Sequence, residues 1–202
     1  MLIVLIGVGT YGIIAGPADD PASDDPEIGP SPLRSTSTSP EPPPDPSTIS
    51  DPEQFAARVA RQLFSWDTTS GLGPLDYAAM ILTVADPAGD EQAGLAADVA
   101  NYLPPQPAWI ELRRYATRQW LTIDRPSIPR SWTDAVQQAK PGSLSAGTTA
   151  ITIDGFRHRA GIWNTQDVTS TRKVAFTIFV VCPPADVSCR LLRLSKPDAP
   201  LR

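Results

Sequence analysis

The chain opens on an uninterrupted apolar run and then changes character twice. Residues 1–16, MLIVLIGVGTYGIIAG, carry no charge. As a helix at about 1.5 Å per residue they would reach roughly 24 Å, a little short of the about 20 residues that a bilayer core needs. The run lacks the basic stretch that begins a secretory signal, and Pro17 directly after Ala15-Gly16 makes a poor cleavage site. It reads as an uncleaved membrane anchor, with a start further upstream accounting for its length and for the missing basic residues. From 17 to 50 the periodicity vanishes. This stretch holds ten prolines, many serines and threonines, seven acidic residues and one basic residue, Arg34. Such a composition cannot bury enough apolar surface to offset its ordering entropy, and Pro42-Pro43-Pro44 favours extended polyproline II. It reads as a disordered Pro/Ser/Asp-rich linker between an anchor and a folded domain.

Residues 51–202 carry the regular patterns. Ser50-Asp51-Pro52-Glu53 combines a cap residue, a proline for the first helical position and Ser-x-x-Glu capping-box spacing. Phe55, Val59 and Leu63 follow at intervals of four, with Ala56, Ala60 and Phe64 beside them, a stripe that predicts a core-facing helix. Thr68 to Pro74 reads as a loop. Leu75 to Ala85 predicts a second helix, apolar at Leu75, Ala78, Ala79 and Leu82, and Leu95 to Leu103 and Ala108 to Ala116 predict a third and a fourth. Strand patterns then take over. Arg118 to Asp124 alternates, with Leu121 and Ile123 on one face and Trp120 and Thr122 on the other. Ser131 to Ala139 is a short helix or loop anchored by Trp132. Gly147 to Trp163 is strand-rich, and Asp154-Gly155 within it is either a tight turn or a bulge in one long bent strand; we read it as the bulge. Lys173 to Cys182 is the clearest strand, apolar and β-branched enough to be central and covered, and Cys189 to Leu194 is its return partner. Helices followed by antiparallel strands predict an α+β domain, helices on one face of a curved sheet of about four strands.

Composition narrows what such a domain can do. Net charge is −5, with one histidine and two cysteines among 202 residues. That excludes a multi-histidine metal centre and a four-cysteine zinc site, so no metal and no cofactor is expected. The acidity is uneven. Residues 17–50 carry −6, residues 51–110 carry −6 and residues 111–202 carry +7. The halves of the domain can pair with each other or with neighbouring copies. Nucleic acid is not expected as a partner, although the basic C-terminal half leaves phosphate contact open.

The candidate chemistry is sparse. Gly7-Val8-Gly9-Thr10-Tyr11-Gly12 matches a dinucleotide fingerprint, but the proline-rich stretch after it cannot supply the required helix. Cys182 and Cys189 flank the turn of the last hairpin, where a disulfide would close the loop and imply an oxidising compartment; two free thiols, or a redox or metal role, are the alternatives. His158 lies between Arg157 and Arg159, whose cations oppose a catalytic-base role. No Gly-x-Ser-x-Gly nucleophile elbow is present. No catalytic residue is assigned. If the fold holds a pocket, Trp66, Trp120, Asp124, His158 and Trp163 are its candidate lining.

The order of apolar anchor, Pro/Ser spacer, helices and antiparallel sheet resembles the TcpC-like and VirB-type scaffold subunits of conjugative transfer, or type IV secretion, machines. The strings Phe64-Ser65-Trp66-Asp67-Thr68, Arg118-Gln119-Trp120-Leu121, Gly155-Phe156-Arg157-His158-Arg159 and Phe179-Val180-Val181-Cys182 look like actinobacterial proteins of that kind. Arginine outnumbers lysine 14 to 3, as in a GC-rich source. The resemblance covers residues 51–202. It implies a cystatin-like (nuclear-transport-factor-2-like) cone, no catalytic residues, a single-pass membrane protein with its C-terminal domain extracytoplasmic, and other transfer-machine subunits or further copies of the chain as partners. Such proteins often carry two cone domains in tandem, and residues 51–202 have room for one. Two other functions suit the same fold: an extracytoplasmic ligand-binding module or small enzyme, and an accessory protein of a lipid-import system. The cone interior discriminates. A pocket lined by His158, Asp124 or Asp154 with tryptophans favours a ligand, and an interior filled with Leu, Phe and Ile favours a scaffold.

Overall fold

A computed structural model describes residues 48–87, 91–185 and 187–202. The proposed anchor at 1–16 and nearly all of the linker at 17–50 lie outside the described residues. No helix among the described residues is long and apolar enough to cross a membrane.

The first helix, α1 (Pro52–Phe64), forms where the stripe predicts it, and Phe55, Ala56, Val59, Ala60, Leu63 and Phe64 are all buried. Its cap is one residue later than the capping-box spacing suggests. The Asp51 carboxylate accepts from the Gln54 backbone N–H at 2.8 Å, and Pro52 takes the first helical position, where no N–H is needed. A two-residue strand, β1 (Trp66–Asp67), which the sequence pattern does not announce, follows directly before the loop expected from Thr68. Helix α2 (Pro74–Leu82) is entered through Gly73, whose N–H donates to the Asp76 carboxylate at 2.7 Å. The predicted stripe of α2 is rotated: Leu75 is 84% exposed, and Ile81 turns to the core with Ala78 and Leu82 beside it. Leu75 sits beside the N-terminal proline, so a simple i, i+3, i+4 count put the wrong edge inward. Helices α3 (Gln92–Ala100) and α4 (Gln106–Arg114) each begin two or three residues before their apolar positions, because polar and proline residues complete their first turns.

The sheet has five antiparallel strands in sequential order, one more than expected: β1, β2 (Arg118–Ser127), β3 (Thr148–Trp163), β4 (Gln166–Val181) and β5 (Arg190–Leu194). Trp66 and Asp67 pair with Gln119 and Arg118 to form the extra edge. Strands β3 and β4 have 16 residues each, about 50 Å at roughly 3.3 Å per residue. They are joined by Asn164 and Thr165, both at positive φ (47° and 65°), the signature of the tight turn that suits strand twist. Asp154-Gly155 is continuous within β3, so it is not a turn. The irregularity falls on the partner, where Asp124 is the extra residue between Ile123 and Arg125. Gly155 makes the bend possible: a Cβ there would lie 2.3 Å from the Thr122 carbonyl oxygen.

Side chains alternate across the sheet. One face, with Leu121, Ile151, Ile153, Val174, Phe176, Ile178 and Val180, meets α1 to α4 and forms the core with Phe55, Leu63, Phe64, Trp66 and Trp109. Ring pairs tighten it, Phe64 on Phe176 at 5.3 Å and Tyr102 on Phe176 at 5.3 Å. The helices are not all on that face. Helix α5 (Ser131–Gln138) lies against the other face through Trp132 on Phe179. The C-terminal residues join it there, with Thr152 donating to the Leu201 carbonyl at 2.8 Å and Arg202 pairing with Asp154 at 3.2 Å.

Cys182 and Cys189 are joined in a disulfide across the β4–β5 turn.

Candidate functional site

The strand register decides which of the candidate residues meet. On the face away from α1 to α4, His158 of β3 lies opposite Trp120 of β2 and Thr171 of β4. Its ring stacks on Trp120 with centroids 5.3 Å apart and planes within 14°. Nδ1 is 3.0 Å from Thr171 Oγ1 and Nε2 is 3.1 Å from Thr122 Oγ1. Both ring nitrogens are thus used in tying three strands together, and no carboxylate among the described residues orients the ring as a general base requires. The Arg118 guanidinium covers Trp120 at 5.7 Å.

Trp66 belongs to the opposite face. It is buried and packs on Trp109 at 5.2 Å, and Tyr77 packs on Trp109 at 5.6 Å. The Tyr77 hydroxyl accepts from the Asp67 N–H at 3.0 Å and so holds β1 to α2. The indole N–H groups of Trp66 and Trp109 are both buried and have no hydrogen-bond partner among the described residues. Over Trp66, at 5.4 Å, lies the Arg159 guanidinium. Its Nε donates to Gln119 Oε1 at 2.8 Å, while Gln119 Nε2 donates to the Phe64 carbonyl at 3.2 Å. Burial, and then the neighbouring Arg157, lower the pKa of Arg159.

The five candidates therefore do not share one pocket. Trp66 and Trp120 border the same open cleft of about 510 Å³ at the β1–β2 edge, together with Asp67, Tyr77 and Arg118. His158 touches only the Trp120 side. Asp124, at the bulge of β2, lines a different groove of about 580 Å³ against Asp51, Arg58 and Arg61 of α1 and its cap. Trp163, at the hairpin tip, is 53% exposed and stacks on Tyr115 at 5.0 Å. Among the described residues no cluster of His, Cys, Asp and Glu could hold a metal ion.

Comparison with known proteins adds one likeness. No family model matches this chain, and no curated protein matches it in sequence. Among solved structures, a periplasmic fragment of TraM is similar at a TM-score of 0.43 and 11% identity, over 72% of this chain and 94% of that chain.

Charge is distributed more tellingly than the lining of the clefts. The acidic half of the domain engages at least half of its eight carboxylates internally. Asp51 caps α1, Asp76 closes the start of α2, and Asp98 and Glu91 both grip Arg193 of β5, at 2.6 and 2.7 Å. These bonds hold the Arg193 guanidinium above its usual pKa. The opposite-sign halves thus meet within the molecule. A separate cluster of arginines, Arg157, Arg159 and Arg172, sits on the β3–β4 hairpin. The sequence signal for it was the i, i+2 spacing of Arg157 and Arg159, which puts both on one strand face.

Asp67 supplies a pH test of the β1 edge. Its carboxylate accepts from the Thr69 hydroxyl and the Thr69 N–H, both at 2.7 Å, and these bonds lower its pKa, with Arg118 adding to the effect. A depressed folded-state pKa contributes stability that is present above the unfolded value, about 3.9, and is lost as pH falls through the folded one. Asp67→Asn should therefore unfold with a shallower loss of stability below about pH 4 than the parent protein. Identical acid-side slopes in denaturant titrations would remove this role.

Proposed function

We propose that this chain is a non-enzymatic, membrane-anchored scaffold component of a conjugative transfer (type IV secretion-like) machine, its cystatin-like domain acting on the extracytoplasmic side through protein–protein contacts. The observation that carries the reading is the interior. Between α1 to α4 and the sheet, the space where a cone fold would hold a ligand is occupied by Phe55, Leu63, Trp109, Ile151, Ile153 and Phe176, all at most 1% exposed. His158 and Asp154, which a ligand pocket would need inside, lie on the face away from the core, tied to threonines and to Arg202. The disulfide supports an oxidising, extracytoplasmic setting.

The mechanism is positional. The anchor fixes the chain in the membrane, the linker sets reach, and the domain presents fixed surfaces to other subunits. Deletion of the gene from donor cells should abolish transfer of the mobile element, and the full-length chain supplied in trans should restore it. Normal transfer by the deletion strain, or a defect confined to lipid uptake, would overturn the reading.

A further inference from the structure

The β3–β4 hairpin runs beyond the core. From Phe156 to Lys173 no residue is fully buried, in contrast to the runs 150–153 and 174–178 that precede and follow it. Three arginines share the helix-facing side of this arm. Arg157 and Arg159 are two residues apart on β3, and Arg172 lies directly opposite Arg157 on β4. Like charges facing each other across strands are destabilising, so such an arrangement calls for an anion. The chain supplies little. Arg172 meets Asp198 at 3.5 Å, both well exposed, whereas Arg193, Arg202 and Arg114 each hold carboxylates at 3.2 Å or less. No carboxylate among the described residues bonds to Arg157 or Arg159.

Arg159 is the organised member. Gln119 fixes its Nε, Trp66 supports its plane, and Gln119 is itself buried and held by Phe64. Both terminal nitrogens are left without a partner among the described residues. A guanidinium ordered in this way presents a fork that matches a carboxylate in two parallel hydrogen bonds. Burial and the facing Arg172 also lower the pKa of Arg157, and the nearby Asp198 opposes them only in part.

The direction of Arg159 sets how a ligand must lie. Its guanidinium leans across β2 toward Trp66 of β1, whereas Arg172 stands on β4, so a ligand that meets both runs across the strands. Glu and Asp side chains on an extended segment offer planar two-oxygen groups at a spacing that can meet the arginines in turn.

We propose that the helix-facing side of this arm binds an extended, carboxylate-rich segment of a partner protein, which lies across the strands and engages Arg157, Arg159 and Arg172. This rests on the assembly reading above but fails separately: a transfer defect on deletion tests that reading, and peptide binding tests this one.

The experiment uses the full chain in mild detergent and a labelled 12-residue peptide of alternating Glu and Thr, with the Gln-for-Glu peptide and a single-stranded oligonucleotide as competitors. The Glu peptide should bind, and the Gln peptide should bind at least about tenfold more weakly. Arg159→Gln should weaken the Glu peptide by a similar factor, and Arg159→Lys should restore only part, because the charge returns without the fork. Arg118→Gln, on the opposite face, should leave binding unchanged. Should Arg159→Gln disturb folding, Ser170→Glu keeps every arginine and places a carboxylate across from Arg159; it should block the peptide. Equal binding of Glu and Gln peptides, tighter binding of the oligonucleotide, or a Ser170→Glu protein that binds as the parent does would overturn the proposal.

Discussion

Trp109→Ala is expected to lower the unfolding free energy by about 3–5 kcal/mol, the usual cost of emptying a fully buried aromatic site. Trp109 has no exposed surface and is the one residue of α4 that is fully buried, with Leu112 only partly so. Its ring contacts Trp66 of β1, and Tyr77 of α2 packs on it in turn. A single side chain therefore docks three elements, and the cavity left by alanine is bounded by rigid rings that cannot collapse into it. Its indole N–H has no partner among the described residues, so the loss is one of packing and not of hydrogen bonding. Trp109→Phe should accordingly cost much less, because part of the volume stays and a buried unpaired donor goes. In denaturant titrations the alanine variant should move the midpoint with an unchanged slope. A loss below about 1 kcal/mol would show that α4 is held by something other than this ring.

The parts that were legible in the sequence are those where one force dominates. The stripe of α1 and the alternation of β2 are set by burial, and both formed with the predicted faces inward. The apolar run of β4 was recognised from Lys173 onward, but the strand begins at Gln166. Its first half, Gln166 to Arg172, is polar and exposed, so no hydrophobic pattern marks it; pairing with β3 alone makes it a strand. The tip of that hairpin was hidden for a related reason, since Asn-Thr is a weak turn signal beside Asn-Gly. Strand β1 was missed because two residues cannot show a period. The candidate pocket residues illustrate a different limit. Trp66 and Trp120 were chosen by residue type, but the pairing of Trp66 with Gln119 puts them on opposite faces, and only the register reveals it. The same register brings Arg159 over Trp66, a contact between residues 93 positions apart that local sequence cannot announce.

Removing the disulfide with Cys182→Ala and Cys189→Ala together should cost about 2.5 kcal/mol, the loop-closure entropy expected for eight residues. The bond matters more than its short loop suggests because of what β5 carries. Strand β5 has five residues and a register shift against β4 between Phe179 and Val180, so ladder pairing alone fixes it weakly. Yet Leu191 and Leu194 are buried in the core, and Arg193 holds Asp98 and Glu91. The Cys189 N–H also donates to the Ile49 carbonyl at 2.8 Å, tying the approach to α1 to the same strand. Opening the disulfide therefore loosens a strand that joins the acidic half of the domain to the basic half. Reductant should lower the stability of the parent protein to that of the double alanine variant and leave the variant unchanged. Material produced in a reducing compartment should be weaker by the same amount until oxidised. Equal stability of parent and variant under oxidising conditions would mean that the packing of Leu191 and Leu194, and not the covalent link, holds β5 in register.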